Sequence, residues 1–140
     1  MNGLYLEDLN LGQSAERAHK VTEGDINAFA AVSGDNNPVH LDEAYAATTP
    51  FKTRIAHGML SAGYISALLG TQLPGPGAIY ISQTMNFKRP VRIGDEVLTR
   101  AKVSAIDSER ARVTLEVVCE VAGKPVVEGE AVVMVPKRAA

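Results

Sequence analysis

An aspartate and a histidine stand five residues apart in Gly34-Asp35-Asn36-Asn37-Pro38-Val39-His40. Pro38 removes a backbone donor and biases Asn37 away from helical geometry. The segment therefore reads as a loop on which the chain folds back, bringing a carboxylate and an imidazole into one small volume. Such groups ordinarily titrate near about 3.9 and about 6.5, so the first is a ready base and the second a switchable acid near neutral pH. Sharing one water, they supply the paired proton transfers that addition of water to a double bond requires. The same residues also admit a reading without chemistry, in which Asp35 shapes a turn and His40 packs.

His57-Gly58 precedes an apolar stretch, so the Gly58 amide is expected among the unpaired donors of a helix N-terminus, where partial positive charge can hold a developing oxyanion. The competing reading is that Gly58 eases a tight entry and His57 caps it. Ser66 follows Gly58 by eight residues, about two helical turns, and can face the same cavity; a helical serine more often bonds a backbone carbonyl. Arg54, Lys88 and Arg89 are candidates for phosphate contact but are read as solvated surface cations. Leu60-Ser61-Ala62-Gly63 is no nucleophile elbow, because Met59 stands where the motif needs glycine. His19, His40 and His57 lack paired-ligand spacing and one cysteine makes no thiolate cluster, so no metal is expected; no glycine-rich phosphate loop points to a resident cofactor.

The elements that must position these groups follow from periodicity. Thr22 and Asp25 have capping-box spacing, with Ile26, Phe29 and Ala30 on one face, so a helix runs from Thr22 to Ser33-Gly34. A short helix is expected from Asp42, as its cap, to Ala47. The segment from Gly58 to Gly70 carries no charge and is apolar or small nearly all round, which predicts a buried helix. Strands follow. Ile79, Ile81, Met85 and Phe87 share one parity, broken at Gln83; Val97, Ala101 and Val103 alternate with charged residues; Ala111 to Val121 alternates almost throughout. Ala122-Gly123-Lys124 makes a hairpin connection to a last strand over about Val126 to Val135. One uncharged helix followed by an antiparallel meander calls for an α+β packing in which the sheet wraps the helix, the hot-dog arrangement.

The 140 residues, 46% hydrophobic and 21% charged, suit a single domain spanning 1–140. A net charge of -2 leaves no basic excess for a nucleic-acid partner. The lone Cys119 forms no intrachain disulfide, and the acidic N-terminal segment is unlike a signal peptide. No stretch has the apolar length a bilayer requires. A cytoplasmic protein without a membrane partner is the expectation.

Ser-Gly-Asp35-Asn-Asn37-Pro38-Val-His40-Leu-Asp, followed by Ile-Ala-His57-Gly58-Met-Leu, resembles the R-specific enoyl-CoA hydratases, the MaoC-like hydratase 2 group. The resemblance extends through Leu73 to Gly77, Phe87-Lys88-Arg89-Pro90 and Gly94-Asp95-Glu96-Val97, leaving only the N-terminus uninformative. It implies a single-domain hot-dog protomer, usually a homodimer, that hydrates trans-2-enoyl-CoA to (R)-3-hydroxyacyl-CoA. Coenzyme A enters as part of the substrate. The catalytic pair of the family matches Asp35 and His40, its oxyanion donor matches Gly58, and Ser66 matches a position near the reacting centre. Asp35 is assigned to take the proton of water, and His40 to orient that water and deliver the C2 proton, with sharing of these duties left open. The rivals are a hot-dog acyl thioester dehydratase or thioesterase, whose families place an acid on the buried helix where Met59 to Leu69 has none, and a non-catalytic acyl-CoA-binding protein, which need not keep the pair.

Overall fold

Five strands need a partner for one sheet face, and a single long apolar helix supplies it. In the computed structural model, which describes residues 3–138, a 3-10 turn at Leu6–Asp8 leads to strand β1 (Ser14–Lys20). Helices α1 (Glu23–Ser33), α2 (Pro38–Leu41), α3 (Glu43–Ala46) and α4 (Gly58–Thr71) follow. Strands β2 (Ile79–Phe87), β3 (Glu96–Asp107), β4 (Arg112–Val121) and β5 (Lys124–Met134) complete the chain. They form one antiparallel sheet in the order β1-β3-β4-β5-β2.

Helix α4 lies against β1, β3 and β4. Ile65, Leu68 and Leu69 pack in one buried cluster with Val97, Val103, Val113, Leu115 and Val133. Each such side chain stabilises by about 1.5–3 kcal/mol when fully buried, so this layer is the main source of stability. The alternating apolar residues read in β3, β4 and β5 are the ones that face it.

Local signals set the boundaries. The Thr22 hydroxyl accepts from the Asp25 amide at 3.1 Å and the Asp25 carboxylate accepts from the Thr22 amide at 3.0 Å, closing the capping box of α1. Gly34 ends that helix in the left-handed region, at φ 79°. Asp42 caps α3 by accepting from the Tyr45 amide at 3.2 Å. Ala122 and Gly123, at φ 51° and 78°, turn the two-residue β4–β5 hairpin.

Three features depart from the sequence reading. β1 was not legible: it is a largely exposed edge strand, so Ser14–Lys20 shows no alternation and is recruited by pairing with β3. Of the apolar row of β2 only Met85 packs against the core; β2 is the opposite edge, and a bulge between Tyr80 and Ser82 breaks its register. Ile79 and Phe87 are 58% and 55% exposed. Nor is α4 buried all round, since Met59, Gly63, Ser66 and Gly70 remain uncovered. Among the described residues no helix is long and apolar enough to cross a membrane.

Candidate active site

The site is assembled where the end of α1, the short α2 and the start of α4 converge. Pro38 does not prolong a loop; it occupies the first turn of α2, where its missing N–H has no intrahelical acceptor to lose. The Asn37 side chain caps that turn by accepting from the Val39 amide at 3.2 Å. His40 therefore rides on a four-residue helix. Asp35 lies in the exposed turn before it, its carboxylate accepting from the Asn37 amide at 3.3 Å. The turn-forming role of Asp35 is thus real, and it leaves a second carboxylate oxygen available.

His40 is buried, and its Nδ1 lies 2.8 Å from the carbonyl oxygen of Ile55. A carbonyl only accepts, so Nδ1 carries the hydrogen and Nε2 presents a bare lone pair. Burial, the largest influence, holds the His40 imidazole below its ordinary value, and the neighbouring His57 adds to that; the Ile55 bond and the Asp35 carboxylate oppose them. The balance of these influences favours the neutral imidazole.

Arg54 is not the solvated cation its type suggests. It is 8% exposed and its Nε donates to the His40 carbonyl at 2.6 Å. Its Nη1 donates to Glu23 at 2.8 Å and its Nη2 to Asn27 at 3.3 Å, joining α2 to α1. Glu43 steadies the same segment by accepting from the Thr53 hydroxyl at 2.6 Å and the Arg54 amide at 3.3 Å. Composition gives no sign of this, because an arginine is drawn inside only when partners from several segments meet it.

A carboxylate oxygen of Asp35 and one ring nitrogen from each of His40 and His57 lie within 4.8 Å of one another. The two rings are stacked, with centroids 3.8 Å apart and planes 28° apart.

Gly58 is the first residue of α4, where an amide has no intrahelical acceptor, and the His57 side chain does not cap it. A Cβ at Gly58 would stand 2.6 Å from the Phe87 ring, so a larger residue here would have to displace that ring. His40 and Gly58 both line a cavity of about 490 Å³ walled by Phe51, Ile55, Val91 and Val127. Lys88 and Arg89 also border it.

Ser66 stands apart from this cavity in the single chain, where it is exposed. Eight residues along a helix move a side chain about 12 Å down the axis and about 80° around it, away from Gly58. The serine that lines the cavity is Ser61, one turn after Gly58. His40 and Gly58 share the cavity, and Asp35 clusters with His40 and His57 without lining it.

Residues 9–127 match the family model described as MaoC like domain. The (R)-specific enoyl-CoA hydratase of Rhodospirillum rubrum is 59% identical over 96% of this chain and 93% of its own length. The 3-hydroxybutyryl-CoA dehydratase of Methylorubrum extorquens is 52% identical over 96% and 86%. Among solved structures, the unliganded R-hydratase of Pseudomonas aeruginosa superposes with a TM-score of 0.92 at 50% identity, covering 97% of this chain and 88% of that one.

Proposed function

This chain belongs to the MaoC-like domain family, and we infer that it acts through Asp35, His40 and the Gly58 amide as an (R)-specific enoyl-CoA hydratase. It is a hydro-lyase that adds water across the trans-2 double bond of an enoyl-CoA to give the (R)-3-hydroxyacyl-CoA, and it has the hot-dog fold of its relatives. A dehydratase among those relatives is named for the same equilibrium approached from the other side. The observation that carries the assignment of roles is the His40 imidazole, its Nδ1 bonded to the Ile55 carbonyl, clustered with the Asp35 carboxylate and beside a cavity that also reaches an uncapped helix N-terminus.

The tautomer changes the division of labour expected from sequence. With a lone pair on Nε2, His40 takes the proton of water as its oxygen bonds to C3. The π electrons pass into an enolate whose oxygen the Gly58 amide receives. The imidazolium then returns the proton to C2, on the face from which water came. Asp35 orients the water and balances the transient charge on His40. One O–H bond and the C2–C3 π bond break, and one C–O and one C–H bond form, so the atoms balance with no other reactant. Neither a metal nor a resident cofactor is required.

The homodimer belongs to the same reading. Ile79, Ile81 and Phe87 on edge strand β2, with the uncovered face of α4, form an apolar surface that a second copy would bury. A cytoplasmic address is supported by Cys119 being a buried free thiol. Lys88 and Arg89 at the cavity suit the phosphates of coenzyme A.

Purified protein is expected to consume crotonyl-CoA, read as loss of enoyl-thioester absorbance, and to yield a product oxidised by an R-specific 3-hydroxyacyl-CoA dehydrogenase. Release of free coenzyme A thiol would identify a thioesterase instead. Binding without turnover would identify a carrier.

A further inference from the structure

His57 is 2% exposed, yet the reaction derived above uses none of its atoms. It stands at the N-cap of α4 but its side chain bonds no amide of that helix, so capping does not account for an imidazole here. What it touches instead is the catalytic pair. Its Nε2 lies 2.9 Å from the carbonyl oxygen of Asp35. That oxygen only accepts, so Nε2 carries a hydrogen; Nδ1 is buried and has no partner among the described residues. The ring stacks on His40 at 3.8 Å and meets Phe29 of α1 at 4.8 Å. Its main chain continues directly into Gly58.

Resting on the reading of Asp35 and His40 as the proton-transfer pair, we infer that His57 is the positioning residue that sets the spacing of Asp35, His40 and the Gly58 amide. Its N–H holds the Asp35 turn, its ring face holds the His40 ring, and its backbone carries the oxyanion donor. Each of the three needs such a brace. Asp35 is in an exposed turn, His40 is on a helix of four residues, too short to persist alone, and Gly58 is at a helix end. An apolar side chain would fill the space but leave the Asp35 carbonyl without its donor. An amide would donate but offer no flat face to His40. An imidazole does both.

The proposal is tested by comparing the wild type with His57→Phe, which keeps a ring face and loses the donor, and with His57→Gln, which keeps a donor and loses the face. Asp35→Asn serves as the control for the underlying reading. Turnover of crotonyl-CoA is expressed per folded molecule, the folded fraction coming from thermal melts. Both His57 variants are expected to lose about tenfold or more in kcat while KM stays within about threefold, the mark of lost geometry rather than lost binding. Wild-type kcat per folded molecule in both, or a loss confined to KM, with Asp35→Asn inactive, overturns the positioning role and leaves the pair standing. An active Asp35→Asn brings down the pair itself. Should neither variant fold, ring ¹⁵N spectra of the wild type decide: hydrogen on Nε2 of His57 is expected, and hydrogen on Nδ1 overturns the inference.

Discussion

Between Gly34 and Gly58 the fixing contacts are hydrogen bonds made by side chains, most of them to backbone atoms, whereas between α4 and the sheet they are apolar side chains at or near zero exposure. The first region is largely exposed and consists of two four-residue helices and their turns; the second holds the longest helix and the long strands. Hydrogen bonds have direction and fix the aim of a side chain, while apolar burial has little direction and fixes only that the layers stay together. The proposed catalytic groups therefore sit in the region built for aim, anchored onto the region built for stability. Gly58 is the joint, since it belongs to both.

Variants that strike one region without the other sharpen this contrast. The largest effect is expected from Asp35→Asn and His40→Gln, each lowering kcat by about 10²–10⁴-fold while thermal melts stay close to wild type. A fall in melting temperature that tracks the lost activity would show that the polar region also carries the fold. Next comes Leu68→Ala, inside the apolar layer, which is expected to cost about 3 kcal/mol in denaturant unfolding with kcat per folded molecule unchanged. A selective loss of turnover in that variant would dissolve the distinction.

Arg54→Gln tests the polar region through a residue that does not line the cavity. Losing the donor to the His40 carbonyl is expected to lower kcat by roughly tenfold, with a smaller loss of stability than Leu68→Ala. Equal behaviour of the two variants would mean that Arg54 serves only to hold α1 and α2 together.

The smallest effect concerns pH. Folding holds His40 below its ordinary value of 6.5, so in the window beneath 6.5 the unfolded chain binds the proton more readily than the native one. The contribution is fully present above that value and is lost as pH falls toward the lower native one. Melting temperature is expected to drop between pH 7 and pH 5 more steeply in the wild type than in His40→Gln. Parallel curves would show that burial of His40 does not govern this window.

Much of the frame was legible in advance. Thr22 with Asp25, Asp42, the uncharged run after Gly58 and the alternation from Ala111 to Val121 are local patterns, and each became the element it predicted. The edges were not. β1 is fixed by its neighbour β3 rather than by its own periodicity, and the apolar row of β2 gives no sign of facing away from the core.

The site divides along the same line. The sequence alone determined that Asp35 and His40 lie close, because a proline-bearing turn five residues long leaves them little room to separate, and that a free amide stands at Gly58, because an uncharged helix must begin there. Only the tertiary structure decided that Ile55 sets the tautomer of His40, that Arg54 turns inward to the His40 carbonyl, that His57 reaches Asp35, and that Ser61 rather than Ser66 meets the cavity. The physical reason is range. Capping, turn geometry and periodicity act over a few residues, while the aim of a side chain is set by partners that are distant in sequence and meet it only when the chain has closed.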